Sequence, residues 1–164
     1  YKNLICFNLK REGMDDDTGM KNCKDALENI LPFAEKNGVT LAMELLNSKI
    51  DHKDYMCNHV EWGAELCKRV SSENFKLLFD IYHMQIQEGD ITRNIRDYHQ
   101  YIAHFHTGGV PGRHEINNTQ ELYYPEVMRA IVDTGFKGYV AQEFEPTYPN
   151  KLDSLREAIK ICDV

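Results

Sequence analysis

The sequence predicts an α/β fold with a parallel sheet, and three observations carry that expectation. Short apolar runs alternate strictly with stretches whose apolar residues recur every three or four positions. The alternation gives five strands and five helices, the pattern that right-handed crossovers make. Four of the five runs also close on Glu, Asp or His, at intervals of 36, 26 and 37 residues, each about one β-α unit. At 164 residues the chain has the size of one domain.

The elements follow in order. Residues 3–8, Asn-Leu-Ile-Cys-Phe-Asn, read as a buried strand. A polar loop over 13–19 leads to a helix face of Met20, Cys23, Leu27, Ile30, Leu31 and Ala34. Asn37-Gly38 closes that helix, and Pro32 inside it predicts a kink or an early break. Val39 to Leu46 is a strand, and Val60, Ala64, Cys67 and Val70 mark a helix. Phe75 to Phe79 is a strand, followed by a short helix with Ile91, Ile95 and Tyr98. Tyr101 to Phe105 is a strand, and a long polar loop precedes a helix with Pro125 in its first turn. Tyr139 to Phe144 is the last strand, and Leu152, Leu155, Ile159 and Cys162 give the last helix. No Gly-rich phosphate loop follows the first strand, which disfavours a nucleotide-binding version. An open doubly wound sheet and a piece of a (β/α)₈ barrel remain.

Composition narrows the partners. Apolar residues make 42% and charged residues 27% of the chain, an ordinary globular balance. The formal charge of −7 argues against a nucleic-acid partner. No apolar run reaches the ~18–20 residues of a membrane span. The five cysteines form no C-x-x-C pair, which favours buried free thiols and a cytoplasmic location.

Chemistry concentrates at the strand ends. Glu44, Asp80, His106 and Glu143 each terminate a strand, the end at which α/β folds build their sites. Taken singly, each acid reads as a partner for a separate Arg or Lys. Taken together, three converging carboxylates would repel, and one divalent cation relieves both repulsion and burial. Two Glu, one Asp and one His suit Mg²⁺, Mn²⁺ or Co²⁺, with Zn²⁺ also admissible. His83 follows Asp80 by three and belongs to the same mouth. His104, two positions before His106, is assigned to the opposite face, toward the helices. Arg113, in Gly-Gly-Val-Pro-Gly-Arg, can hold a carboxylate or phosphate in forked geometry.

These residues match a known pattern. The segments are Ala-Met-Glu-Leu-Leu-Asn (42–47), Leu-Phe-Asp-Ile-Tyr-His-Met-Gln (78–85), Gly-Asp-Ile-Thr-Arg-Asn-Ile-Arg (89–96) and Ala-His-Phe-His (103–106). Val-Pro-Gly-Arg-His-Glu (110–115), Gly-Phe-Lys-Gly-Tyr-Val (135–140) and Gln-Glu-Phe-Glu-Pro (142–146) continue it. The chain resembles the xylose-isomerase-like TIM-barrel sugar isomerases and epimerases, and within them hydroxypyruvate isomerase. The resemblance implies that Glu44, Asp80, His106 and Glu143 bind one metal ion. It implies that Glu44 and Glu143 also form the acid/base pair of an enediolate proton transfer, and that His83 and Arg113 contact a small hydroxy-keto acid or ketose. Ile50 stands where the epimerase branch has a second Glu, which argues against a ketose 3-epimerase. His106 stands where some hydroxypyruvate isomerases have Gln.

A complete barrel of this kind needs about 250 residues. The expectation is therefore that residues 1–164 form one partial barrel domain, the C-terminal five β-α units, with the N-terminal strands of the barrel absent. The first and last strands should be the sheet edges, and the open side calls for a cover, either an N-terminal segment lost from the chain, which is the favoured expectation, or a second copy in a homo-oligomer. An inactive fragment, a related sugar epimerase and an inosose dehydratase are the competing readings.

Overall fold

The computed structural model describes residues 1–164. The elements are β1 (Asn3–Cys6), α1 (Asp16–Asn37), β2 (Thr40–Glu44), α2 (Val60–Val70), β3 (Phe75–Asp80), α3 (Ile81–Gln87), α4 (Ile91–Tyr98), β4 (Ile102–Thr107), α5 (Tyr124–Asp133), β5 (Tyr139–Gln142) and α6 (Lys151–Cys162). All strand pairs are parallel, and the sheet order β1-β2-β3-β4-β5 repeats the sequence order. The edges are β1 and β5, as expected.

The sheet curls. Asn3 Nδ2 on β1 donates to the Ala103 carbonyl on β4 at 3.0 Å, and the Tyr1 and Tyr139 rings meet edge-to-face with centroids 5.5 Å apart. A flat sheet would hold β1 and β4 about 14 Å apart, three strand spacings. The five strands therefore form a half-barrel drawn together at its N-terminal end.

Alternation along the strands separates two environments. Met43, Leu77, Phe79 and Phe105 join the apolar core shared with the helices. Glu44, Asp80 and His106 point the other way, into the barrel. Both β2 and β3 are buried along nearly their whole length, as the central strands of a parallel sheet must be.

Several elements depart from the sequence reading. Six α-helices are present, because the β3–β4 connection holds two, α3 and α4, with a short 3₁₀ turn at His99–Tyr101. Helix α1 runs 22 residues through Pro32 without a break. Asp15 caps its start by accepting from the Thr18 N–H at 2.8 Å, and Gly38 closes it at φ 62°, in the left-handed region. Strand β1 is shorter than residues 3–8 and is not buried. Leu4, Phe7 and Leu9 are exposed, because no neighbouring unit covers that edge. All five cysteines are free, with Cys57 and Cys67 buried. No helix is long and apolar enough to cross a membrane.

Candidate metal centre

Buried polar side chains in this molecule gather at the C-terminal ends of the strands. Glu44, Asn47, Asp80, His83, Gln87, His106, Thr107 and Glu115 are all buried there. Burying so many polar groups in one region is costly unless they serve one another or a ligand.

Glu44 and Asp80 are the last residues of β2 and β3, and His106 is the next-to-last residue of β4. Glu143 follows β5 by one position and stays half exposed. Their ligand atoms all lie within 4.8 Å of one another. His106 Nδ1 is 2.7 Å from Glu143 Oε2 and 3.7 Å from both Glu44 Oε1 and Asp80 Oδ2. It is nevertheless buried and makes no hydrogen bond of proper geometry with any of them. A buried ring nitrogen that faces three carboxylates, with no well-directed hydrogen bond to any of them, fits a divalent cation. Three carboxylates and a single imidazole make an oxygen-rich donor set for such an ion.

The electrostatics agree. Burial raises the pKa of Glu44, and repulsion from Asp80 and Glu143 adds to it against the attraction of His106. Burial also opposes an imidazolium at His106, yet Asp80, Glu143 and Glu44 outweigh it and push that pKa up to about 11. Burial works against the Asp80 carboxylate too, but His106 and Arg113 hold its pKa well below the usual carboxylate range. A site this rich in carboxylate draws positive charge from its own residues.

Asp80 does two further things. Its Oδ1 accepts from the His83 N–H at 3.1 Å, so it caps α3, which starts directly at the strand end. It also receives Arg113 as a two-pronged pair, and Arg113 reaches Glu143 as well. The Arg113 guanidinium lies over the Tyr82 ring, 4.6 Å from its centre. Three of its five N–H groups are thus taken.

Arg113 sits in a tight loop with φ 57°. Gly109 N donates to the His114 carbonyl at 2.9 Å. A Cβ on Gly109 would lie 2.2 Å from the Glu115 carbonyl oxygen, so only glycine fits there. Tyr124 anchors the loop start, donating its OH to the Gly108 carbonyl at 2.8 Å and accepting from the Gly108 N–H at 2.9 Å.

His83 is buried at the same mouth, with Asn47 Nδ2 2.7 Å from its Nδ1. Burial drives its pKa down to about 4, so the ring is neutral at pH 7. A cleft of about 700 Å³ opens over the centre, bordered by Glu44, His83, Arg113, Glu143, Ile50 and Tyr82 among others.

The structure thus brings together all six residues singled out in the sequence. One assignment is corrected. His104 and His106 share a face, with ring centroids 5.0 Å apart, because residues two apart in a strand point the same way. His104 therefore looks into the barrel and not toward the helices. The sequence reading missed Asn47, Tyr82, Glu115 and Tyr124. Asn47, Tyr82 and Glu115 fall within the quoted segments 42–47, 78–85 and 110–115, and that placement was the available hint.

The family model for xylose isomerase-like TIM barrels matches residues 4–163. The chain belongs to that family. It is 33% identical over 134 residues to a 2-oxo-tetronate isomerase of Cupriavidus necator, a match covering 79% of this chain and 51% of that protein. It is 30% identical over 131 residues to the Danio rerio protein named "Putative hydroxypyruvate isomerase", covering 80% of this chain and 46% of that protein. Among solved structures, an AP endonuclease, family 2, from Brucella melitensis superposes with a TM-score of 0.77 at 29% identity, covering 92% of this chain and 58% of that one. The chain spans about half the length of the curated relatives it matches.

Proposed function

We propose that this chain carries the metal centre and proton-transfer residues of a metal-dependent isomerase acting on a small hydroxy-carbonyl acid, in the manner of hydroxypyruvate isomerase. The observation that carries the reading is the convergence of Glu44, Asp80, His106 and Glu143, with Glu44 and Glu143 lining a cleft. The names of the relatives support the same reaction class.

Glu44, Asp80, His106 and Glu143 would hold one divalent ion, which when bound polarises adjacent carbonyl and hydroxyl oxygens. Glu44 and Glu143 supply the proton transfers. One carboxylate takes a proton from the carbon that bears the hydroxyl, breaking that C–H bond. The other carboxyl returns a proton to the former carbonyl carbon, and the hydroxyl proton passes to the neighbouring oxygen. Hydroxypyruvate becomes tartronate semialdehyde by this exchange, with no net gain or loss of atoms. Burial of Glu44, which raises its pKa, suits a group that must hold and release a proton.

Arg113 and His83 would bind substrate. The two uncommitted N–H groups of Arg113 favour an anionic substrate. Ile50, exposed at the rim of the cleft, offers no carboxylate to a ketose, which favours the isomerase over a 3-epimerase.

Metal content together with turnover on a panel of keto acids and ketoses tests the reading. One divalent ion per chain and preferential turnover of hydroxypyruvate are expected. A protein that binds no divalent ion, or that turns over only neutral ketoses, would be assigned elsewhere in the family.

A further inference from the structure

Asn47 belongs to none of the roles above, yet it is fully buried, with 0% of its surface exposed. Its amide orientation is fixed by the backbone. Oδ1 accepts from the Ile50 N–H at 3.1 Å and the Asp51 N–H at 3.0 Å. Nδ2 must therefore be the atom that faces the other way. There it donates to Asp51 Oδ2 at 2.7 Å and meets His83 Nδ1, also at 2.7 Å.

An amide nitrogen only donates, so His83 Nδ1 accepts and carries no hydrogen. Asp51 Oδ2 cannot reverse this, because it lies 3.8 Å from Nδ1 and already accepts the Tyr82 hydroxyl at 2.9 Å. The ring is held edge-on by His52 and Tyr82, with centroids 5.2 and 5.1 Å away. The proton of the neutral ring must then sit on Nε2, which no protein group meets, on a ring that borders the cleft.

We propose that Asn47 is a positioning residue that locks His83 in its Nε2–H tautomer, so that His83 gives a hydrogen-bond donor, and not a proton-accepting base, to a substrate oxygen. This rests on the isomerase reading for the substrate but not for the tautomer. It separates the labour of the site: proton transfer stays with the carboxylates, and His83 selects for an acceptor oxygen.

Long-range ¹H–¹⁵N correlation of the imidazoles in the zinc-loaded protein reads the tautomer, with His83 assigned by its loss in His83→Gln. A bare Nδ1 and a protonated Nε2 are expected at neutral pH. The paired exchange Asn47→Asp with Asp51→Asn keeps an oxygen for the two backbone donors and avoids two adjacent carboxylates. It places an acceptor opposite Nδ1. The signal should move to the Nδ1–H tautomer, and kcat/KM for hydroxypyruvate should fall by about tenfold or more, the loss expected for one substrate hydrogen bond turned unfavourable. A wild-type Nδ1–H form, or an exchange variant with unchanged tautomer, would overturn the assignment. Should the exchange variant not fold, the wild-type spectrum alone decides. A protein with the expected tautomer but no turnover of any hydroxy-keto acid would refute the isomerase reading and leave the role of Asn47 intact.

Discussion

Arg113 clasps Asp80 at both oxygens, with Nη2 to Oδ2 at 2.5 Å and Nη1 to Oδ1 at 3.2 Å. Asp80 is fully buried, and Arg113 is the one permanently charged cation that reaches it. Without a bound metal ion this pair does much of the charge compensation at the centre. Arg113→Ala should therefore destabilise the metal-free protein by about 3–5 kcal/mol, the cost of leaving a buried charge unpaired. Added Mn²⁺ should recover most of that loss. Thermal unfolding with EDTA and with Mn²⁺ checks both halves of the expectation, and an equal loss in the two conditions would contradict it.

Glu44→Gln and Glu143→Gln should each reduce isomerase turnover by roughly 10²–10⁴-fold, because an amide cannot exchange the proton. Both amides keep an oxygen for metal and a similar volume, so folding should persist. Circular dichroism alongside steady-state kinetics separates these effects. Near-normal turnover in either variant would reduce that residue to a ligand.

Arg113→Lys keeps the charge and loses the fork. Binding of hydroxypyruvate should weaken more than binding of a neutral ketose, since an ammonium has only three N–H groups, as many as Asp80 and Glu143 already take from Arg113, and none is left for a substrate carboxylate. Comparing KM for the two substrates measures this. Equal changes would assign Arg113 to the loop and to Asp80 alone.

Glu115 ties the loop after β4 to the start of α6. Its carboxylate accepts from the Thr147 N–H at 2.6 Å, Thr147 Oγ1 at 2.8 Å and Ser154 Oγ at 2.6 Å. Burial would raise its pKa, but these donors outweigh it and hold the group at about 2. An unfolded Glu titrates near 4.3, roughly. The folded value is the lower one, so the stabilisation is complete above the unfolded value and is lost as pH falls toward 2. Urea unfolding between pH 2 and pH 6 should show this slope, and Glu115→Gln should flatten it. That variant should also cost about 1–3 kcal/mol at pH 7.

Much of this was legible in the sequence, for a physical reason. A buried strand in a parallel sheet must be continuously apolar, so Glu44, Asp80, His106 and Glu143 stand out where the runs stop. Helix α3 was hidden because Ile81-Tyr82-His83-Met84 follows Asp80 without a linker, and 7 residues are too few to show a helical period. The exposure of β1 was hidden because a run of apolar residues says nothing about what lies beside it. Asn47, Tyr82 and Glu115 act across neighbouring units, through contacts such as Asn47 to His83, 36 residues apart. No local pattern records such a pairing.

Sheet order that copies sequence order has a kinetic consequence. The four candidate ligands sit on β2, β3 and β4 and just past β5, so each has the next as its immediate spatial neighbour. Every step in gathering them closes one β-α-β loop between adjoining strands, with no strand to be skipped. Each closure spans a single β-α-β unit, so its loop-entropy cost stays modest, and each adds a ligand to those already in place. The centre can thus be collected strand by strand as the chain lengthens, with Glu143 the last to arrive.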